Sequence, residues 1–474
     1  MENSRGNWGS NIGFLMAAVG SAVGLGNIWG FPYKMGANGG FAFLIIYLAL
    51  AFIVGFVVMI SEIAIGRKTG KGVIGAYQEI SKKFKWLGFL GIAAPMLIMT
   101  FYSVLGAYCL EYLFLNLGDL AFGTLNMAGG DLFGAMLTKP GACIFFTFMF
   151  MAICFLIVKG GIKDGIEKFN TVGMPALAIM LLITIIRSVS LPGAAEGLKF
   201  MFAPNFEPLK ENFIGVLSVA GGQMFFSLSL AMGAIITYGS YLSKKEDIVK
   251  NSAIIVVSDT CVALMAGLAV IPAAFALGGE GAAMSGPKLL FITLQDVFSA
   301  MGNIGPLFGA VFYLLVFIAA ITSAISLTEV AVTTYADRCE KKGVTPNRIK
   351  ATGVVCVLIF LGASVVAADG LGSNGMWVPF QNSLGIVGAF NDCWLDFVDF
   401  FAEGIIMPLG ALLMSLMVGW EIGTDKIKEE VEVEGNKFHF YTFYKICLRF
   451  IVPIAMAFIL LGQIDGFLGL EIFS

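Results

Sequence analysis

Apolar stretches of about 20 residues or more recur along the whole chain, and each is long enough to cross a bilayer core of roughly 30 Å as a helix. Only 13% of the 474 residues are charged, while 58% are hydrophobic. A water-soluble protein of this size could not cover its surface with so few charges. We therefore predict an all-α polytopic membrane protein, a single domain over residues 1–474. The eleven predicted transmembrane helices, numbered in chain order, cover roughly 11–37, 40–66, 86–118, 141–158, 166–187, 213–241, 249–277, 303–337, 348–368, 396–420 and 440–470.

The lysines and arginines predict the orientation of these helices, because cytoplasmic loops carry an excess of both residues. Twenty-two of them lie on the same side of the membrane as the N-terminus, most densely in 67–85 and 338–350. The opposite side carries four lysines: Lys139, Lys199, Lys210 and Lys288. We expect the N-terminus in the cytoplasm and, since the number of helices is odd, the C-terminus outside; inner and outer refer to this predicted orientation. Short outer loops and the lack of an Asn-x-Ser/Thr sequon favour a bacterial inner membrane.

Composition and motifs argue against several other classes of function. The net charge is −3 and no segment is strongly basic, so we expect no nucleic-acid partner. The eight cysteines are scattered through apolar stretches without C-x-x-C spacing, which indicates neither a metal cluster nor a disulfide framework. No pairing of a nucleophile with a base is recognisable, so we expect no enzyme activity.

Helix 1 contains an unusual number of residues that weaken a helix. The stretch GSAVGLGNIWGFPY (20–33) includes four glycines and Pro32, with Asn27 as its only side-chain amide. A break here would expose peptide groups, which a membrane tolerates only where they line a cavity inside the protein. Glycines four residues apart also allow close helix packing, and that alternative stays open for this stretch taken alone.

Helix 6 is disturbed in the same way. In AGGQMFFSLSLAMGAIITYGSY (220–241), Ser227, Ser229 and Gly233 interrupt an otherwise apolar span. Helices 1 and 6 lie five helices apart and cross the membrane in opposite directions, which predicts a five-plus-five inverted repeat with both helices broken. The first repeat would cover about 11–187, the second about 213–420, and an additional helix about 440–470. Broken helices at matching positions in two halves indicate the central site of a transporter.

Three stretches closely resemble a known family. GSAVGLGNIWGFPY, GQMFFSLSLAMG (222–233) and FIAAITSAISLTEV (317–330) are similar to helices 1, 6 and 8 of the neurotransmitter:sodium symporters. The resemblance extends over essentially the whole chain, although the family usually has a twelfth helix that is missing here. It implies sodium-coupled symport of an amino acid into the cell by alternating access. An amino-acid sensor that keeps the binding site without transporting remains an alternative.

The resemblance implies a first sodium site next to the substrate. Its ligands would be the carbonyl of Ala22 and the side chains of Asn27, Ser227 and Asp259, completed by a substrate carboxylate. The family often has asparagine where Asp259 stands. This permanent negative charge would replace the chloride that some members need, so we expect no chloride requirement.

A second sodium site is implied between helices 1 and 8. It would use the carbonyls of Gly20, Val23 and Ala319 with the hydroxyls of Thr322 and Ser323. Broken helices supply such sites because their unwound carbonyls are available to coordinate a cation. We therefore expect two sodium ions, although the sequence leaves the stoichiometry open.

The substrate carboxylate is expected at the break of helix 1. The free N–H groups near Leu25 and Gly26, beside Tyr102, suit an anion because a half-helix N-terminus carries partial positive charge. Family members that carry amines without a carboxylate have an aspartate where Gly24 stands. Since this chain has glycine there, its substrate should bring its own carboxylate, as an α-amino acid does.

The rest of the substrate is expected to lie against helices 3, 6 and 8. By the same resemblance, the amino group would meet the carbonyls of Ala22, Phe226 and Ser227 and the hydroxyl of Ser229. The walls around the substrate side chain would be Ser21, Ile98, Phe226, Met232, Ser323, Ala324 and Leu327. Mostly apolar walls favour a hydrophobic or aromatic amino acid, without identifying which one.

Two gates are predicted from the family pattern. On the inner side, Arg5 and Asp337 resemble the family's salt bridge, with Trp8 and Tyr241 nearby, although Arg5 could instead be a simple membrane anchor. On the outer side, the family's arginine is replaced by Gly30. We predict that Lys34, one helical turn further along, pairs with Asp399 in helix 10; the alternative is that Lys34 extends to the lipid headgroups.

Glu62 places a carboxyl group inside the apolar helix 2. We expect it to accept hydrogen bonds from unwound backbone, with a proton relay as the alternative. Whether the protein is a monomer or a homodimer, and whether a proton is counter-transported, are open at this level.

Overall fold

The computed structural model describes residues 8–123, 129–283, 289–379, 393–468 and 472. Every regular element in these ranges is helical. Within them, nine helices are long and apolar enough to span a membrane: Phe41–Thr69, Leu87–Phe122, Pro140–Val158, Ile162–Val189, Ile248–Ala276, Gly302–Lys341, Arg348–Asp369, Trp394–Glu421 and Tyr441–Gly466. These correspond to the predicted helices 2 to 5 and 7 to 11. The prediction of a polytopic all-α membrane protein is confirmed.

The predicted helices 1 and 6 are each split into two pieces. Helix 1 consists of Asn11–Ala22 and Gly26–Ala37, which add a tenth span if the bent pair is counted as one. Helix 6 consists of Phe213–Ser227 and the short helix Ala234–Gly239. Neither piece of helix 6 is long enough to count as a membrane span by itself. The total of eleven spans therefore stays a prediction.

Shorter helices connect the spans on both sides. They are Val73–Ile80, Gly129–Leu137, Ala194–Phe202, Glu207–Glu211, Leu289–Ser299 and Thr424–Val431.

The break in helix 1 falls on the glycine-rich stretch. The two pieces meet at an angle of 46°, and Val23 leaves the helical region with φ −75° and ψ 102°. Beyond the break, Gly26–Gly30 forms a wide π-helical turn. Pro32 follows closely after this turn, inside the continuous piece Gly26–Ala37, where it cannot donate a backbone hydrogen bond.

The break in helix 6 contains three residues with left-handed backbone conformation. Ser229, Ala231 and Gly233 have φ values of 53°, 59° and 73°, a region that costs a residue with a side chain roughly 1–2 kcal/mol. The backbone N–H of Ala231 donates to Oε1 of Glu62 at 2.7 Å. Glu62 therefore bonds to unwound backbone, as expected from the sequence.

Helices 3 and 8 pack together along much of their length, and the first piece of helix 1 lies against helices 5, 7 and 8. The first piece of helix 6 packs against helices 2 and 11. This arrangement brings both breaks to the centre of the protein, where Asn27 of helix 1 and Ser227 of helix 6 are buried.

Candidate functional site

Three side chains that were predicted for the first sodium site form one buried cluster. The amide of Asn27 donates to Oγ of Ser227 at 2.9 Å and to Oδ1 of Asp259 at 2.7 Å. The hydroxyl of Ser227 lies 2.8 Å from Oδ2 of Asp259, and the hydroxyl of Tyr47 lies 3.3 Å from the same oxygen. The cluster thus joins helices 1, 2, 6 and 7 around one carboxyl group.

Asp259 is fully buried, and among the described residues it takes part in no salt bridge. A buried carboxylate without a balancing cation is costly, even when it accepts hydrogen bonds. The surrounding oxygens of Ser227 and Tyr47 and the oxygen-rich break of helix 1 suit a hard cation. The donor set therefore fits a sodium ion that would balance the charge of Asp259.

The residues that were predicted for the second sodium site also converge. The hydroxyl of Thr322 lies 2.9 Å from the carbonyl of Ala319 and 3.4 Å from that of Val23. The hydroxyl of Ser323 lies 3.4 Å from the carbonyls of both Gly20 and Val23. Five oxygens from helices 1 and 8 thus face one another.

A small cavity lies at the breaks of helices 1 and 6, and Ser323 of the second cluster lines it. Its lining consists of Ser21, Ala22, Gly24, Gly26, Tyr102, Phe226, Ser229, Met232, Ser323 and Leu327. Its free volume for a water-sized sphere is about 10 Å³, which is room for a single water. An amino acid would fit only after side chains such as Phe226 and Met232 had moved.

The polar ends of the cavity come from the broken backbone. The N–H of Leu25 donates to the hydroxyl of Tyr102 at 3.0 Å, and that of Gly24 donates to Oδ1 of Asn27 at 3.0 Å. A Cβ on Gly24 would lie 2.3 Å from Oγ of Ser323 and 2.5 Å from the hydroxyl of Tyr102. Position 24 therefore has room for glycine alone.

Not every residue that was predicted to contact substrate lines this cavity. Within the described part of the chain, Ile98 and Ala324 lie outside its lining and are buried in the core. Leu25 contributes its backbone N–H to Tyr102, and Ser227 belongs to the cluster around Asp259.

Sequence reasoning missed two polar residues beside the cavity. Nε2 of the buried Gln223 donates to the carbonyl of Gly26 at 2.7 Å, and the hydroxyl of Ser21 lies 2.7 Å from that of Ser326. A buried amide four residues before Ser227, on the same face of helix 6, could have indicated Gln223.

On the inner side, contacts join Trp8, which precedes helix 1, to helix 6, and they join helix 8 to the segment after helix 2. Nε1 of Trp8 donates to the carbonyl of Tyr238 at 3.1 Å, and the Trp8 ring lies 6.4 Å from that of Tyr241. Asp337 accepts a hydrogen bond of 2.8 Å from the N–H of Gly72. The predicted partner of Asp337, Arg5, lies outside the described residues.

A second charged contact on this side was missed by the sequence analysis. Glu329 is fully buried and forms a salt bridge with Arg348 at the start of helix 9. The hydroxyl of Tyr241 donates to Glu329 at 3.1 Å. Glu329 therefore connects helix 6 to helices 8 and 9.

On the outer side, the predicted pairing of Lys34 with Asp399 is wrong: the salt bridge of Lys34 is with Glu403, one turn deeper in helix 10. The physical reason is the direction of the side chains, because in a helix they tilt toward its N-terminus. Helix 1 runs outward and helix 10 inward in the predicted orientation. Lys34 therefore leans inward and Glu403 outward, so the two meet, whereas Asp399 begins one turn further out along helix 10.

Comparisons with known proteins agree with this architecture. A family model described as the sodium:neurotransmitter symporter family matches residues 5–127 and 123–472. The uncharacterized sodium-dependent transporter YhdH of Bacillus subtilis is 36% identical over 464 residues, which cover 96% of this chain and 97% of that protein. The human sodium- and chloride-dependent GABA transporter 2 is 26% identical over 499 residues, covering 95% of this chain and 78% of that protein.

A solved structure has the same fold. The crystal structure of MhsT in complex with L-phenylalanine matches with a TM-score of 0.85 and 35% sequence identity, covering 97% of this chain and 100% of that one. The similarity confirms the predicted fold class, and the family is one of sodium-dependent transporters rather than enzymes. Since the family model and the Bacillus relative both cover nearly the whole chain, this protein belongs to the sodium:neurotransmitter symporter family.

Proposed function

We propose that this protein imports an amino acid with a hydrophobic or aromatic side chain, driven by sodium, through alternating access. The observation that carries the proposal is that the breaks of helices 1 and 6 line one small cavity, while two oxygen clusters are built on helix 1 at the same break. Each cluster includes backbone or side-chain oxygens from helix 1. Cations bound there would hold the broken helix in the shape that the substrate needs.

In this proposal, two sodium ions bind. One would be held by the Ala22 carbonyl with Asn27, Ser227 and Asp259, and the other by the five oxygens contributed by Gly20, Val23, Ala319, Thr322 and Ser323. The charge of Asp259 would make chloride unnecessary. The GABA transporter that this chain resembles is, by its name, chloride-dependent, so the two proteins would balance charge differently.

The substrate carboxylate would meet the N–H groups of Leu25 and Gly26 beside Tyr102, and its amino group the carbonyls near Phe226, assisted by Ser229. Apolar lining residues such as Met232 and Leu327 support a hydrophobic or aromatic side chain. The L-phenylalanine bound to MhsT supports the same class of substrate.

Alternating access would require the inner contacts of Trp8, Tyr241 and Asp337, with Arg5 as the proposed partner of Asp337, to open after the outer side has closed. The N-terminus would lie in the cytoplasm of a bacterial cell and the C-terminus outside it. The sensor alternative relied on the missing outer arginine, and the charged contact of Lys34 with Glu403 weakens that argument.

Uptake by the purified full-length protein in proteoliposomes tests this function. We expect labelled L-phenylalanine, L-tyrosine or L-leucine to accumulate under an inward sodium gradient, and to stay outside when potassium replaces sodium. Labelled L-glutamate is the control substrate and should not accumulate. Sodium-dependent binding without accumulation would favour the sensor, and the absence of both would refute the proposed site.

A further inference from the structure

Arg449 is a half-buried cation in helix 11 without an anionic partner. It lies eight residues after Tyr441, where helix 11 begins, which is about 12 Å along the helix. Among the described residues its guanidinium group forms no ion pair, and its Nε is buried without a hydrogen-bond partner. An arginine inside a membrane span is costly, and such residues are usually paired. Arg449 therefore needs an anion that the described part of the chain does not supply.

The walls around the Arg449 side chain come from helix 10. A Cβ on Gly419 would lie 3.3 Å from Cγ of Arg449, so the two helices approach each other closely at this glycine. The ring of Trp420 lies 5.7 Å from the guanidinium carbon, and its Nε1 donates to the carbonyl of Arg449 at 3.2 Å. Stacking on an aromatic ring orients a guanidinium group without using its N–H donors. The group is thus held in place while its donors stay available.

The local charge around Arg449 is positive. Asp425 lies within electrostatic range of three cations: Lys428, Lys445 and Arg449. Lys428 also lies 4.0 Å from the carboxylate of Glu432. The two remaining cations outnumber the one remaining carboxylate, so this junction of helices 10 and 11 attracts an anion.

An apolar stripe of helix 11 passes the same place. Its side chains follow one another at intervals of three or four residues, which puts them on one face of the helix, and they are between 43% and 58% exposed: Phe443, Ile446, Phe450 and Ile454. The ring of Trp420, which is also exposed, lies 5.6 Å from that of Phe450. Tryptophan is typical of the boundary between headgroups and hydrocarbon. A cationic pocket and a surface for hydrocarbon chains therefore adjoin each other.

We propose that Arg449, Lys445 and Trp420 form a binding site for an anionic phospholipid at the inner ends of helices 10 and 11. Arg449 donates hydrogen bonds to the lipid phosphate, Lys445 adds positive charge, and an acyl chain lies along the apolar stripe. Basic pockets between membrane helices on the cytoplasmic side suit such headgroups. The adjoining stripe favours a lipid over a free phosphate ion. None of the three residues lines the cavity at the helix breaks, so the site does not depend on the proposed function.

Native mass spectrometry of the purified full-length protein tests this site. The protein is released from micelles that contain equal amounts of dioleoylphosphatidylglycerol and dioleoylphosphatidylcholine. We expect wild type to retain phosphatidylglycerol in preference to phosphatidylcholine. Arg449→Met should lower that preference about fivefold, which corresponds to about 1 kcal/mol for one basic residue. Equal retention of the two lipids by wild type would overturn the proposal.

Lys71→Met is the matched control, because it also removes one cation from the inner side, where Lys71 pairs with the exposed Glu79. This variant should keep the preference of wild type. An equal loss in Lys71→Met and Arg449→Met would assign the effect to general surface charge and refute the site. Trp420→Leu keeps every charge but removes the ring that orients Arg449, so it should also lower the preference. Trp420→Leu decides the question if Arg449→Met does not fold, and an unchanged preference in it would then refute the site.

Inorganic phosphate distinguishes a lipid from a free ion. An excess of it should leave phosphatidylglycerol bound to wild type, because a free ion lacks the apolar contacts of the acyl chains. Displacement of the lipid by inorganic phosphate would assign a free ion to the pocket and overturn the lipid assignment. Thermal unfolding gives a second measurement: phosphatidylglycerol should raise the unfolding temperature of wild type more than phosphatidylcholine does, and Arg449→Met should lose this difference. Neither measurement uses an amino acid, so failure of the proposed function would leave the test of this site intact.

Discussion

The side-chain amide of Asn27 donates a hydrogen bond of 2.7 Å to Oδ1 of Asp259, which joins the break of helix 1 directly to helix 7. Ser227 of helix 6 bonds to both, so one buried carboxyl group connects the two broken helices. In the proposed function, a charge at this point would influence the binding of sodium, the binding of substrate and the shape of the break together.

Asp259→Asn should raise the sodium concentration that gives half-maximal uptake about tenfold, equivalent to about 1.4 kcal/mol, because the permanent charge of the first site is lost. Wild type should transport equally well in gluconate and in chloride, whereas chloride should stimulate the variant. Asp425→Asn, on an exposed carboxylate that bonds to Tyr441, is the control. A strict chloride requirement in wild type would contradict the role given to Asp259.

Thr322→Val should raise the half-saturating sodium concentration about three- to tenfold, since the variant keeps the shape of the side chain but loses an oxygen of the second cluster. The sodium dependence of uptake should also become less steep. Thr328→Val is a matched control on the same helix, because the Thr328 hydroxyl bonds only to the carbonyl of Ala324 among the hydrogen bonds of the described residues. Equal effects of the two variants would count against a sodium ligand at Thr322.

Gly24→Ala should weaken equilibrium binding of L-phenylalanine at least tenfold. The new Cβ would lie 2.3 Å from Oγ of Ser323 and 2.5 Å from the hydroxyl of Tyr102, so both groups would have to leave their places. Gly118→Ala in helix 3 meets nothing within 4 Å and should bind normally. Scintillation proximity binding with purified protein is the measurement, and unchanged binding in Gly24→Ala would show that position 24 does not border the substrate.

Glu62→Ala should lower the free energy of unfolding by about 1–3 kcal/mol, because it leaves the N–H of Ala231 without its buried acceptor. Glu62→Gln keeps an acceptor oxygen and should cost less. Ala231→Gly should stabilise the protein, since Ala231 has a φ of 59° that glycine adopts without strain. Thermal unfolding in detergent compares the three variants; equal stability of Glu62→Ala and wild type would contradict the support given to helix 6.

The sequence predicted where helices 1 and 6 break, because the causes are local. Glycines and Pro32 weaken helix 1 wherever they stand, and polar groups such as Ser227 and Ser229 are unfavourable at membrane depth unless they face a polar partner. The family resemblance also made it possible to predict which residues would contribute oxygen atoms near each break. The grouping of Asn27, Ser227 and Asp259 in the structure follows that expectation.

The contacts of Gln223, Ser326 and Glu329 could not be predicted in the same way. Each makes its hydrogen bond or salt bridge to a residue on another helix, so its partner depends on the relative depth and rotation of two helices. The hydropathy of a sequence does not reveal the relative depth or the rotation of its helices. The error over Lys34 has the same origin, since a shift of one turn in helix 10 decides between Asp399 and Glu403.

By itself, the sequence determined that this chain crosses a membrane many times as helices, that two of those helices are interrupted, and which family it belongs to. These properties depend on the composition and order of short stretches, and they hold whatever the stretches pack against. Only the tertiary structure decided that Lys34 meets Glu403, that Gln223 holds the break at Gly26, and that Ile98 lies outside the cavity lining. The physical reason is that such contacts join residues far apart in the chain, and their geometry is set by how whole helices tilt and pack.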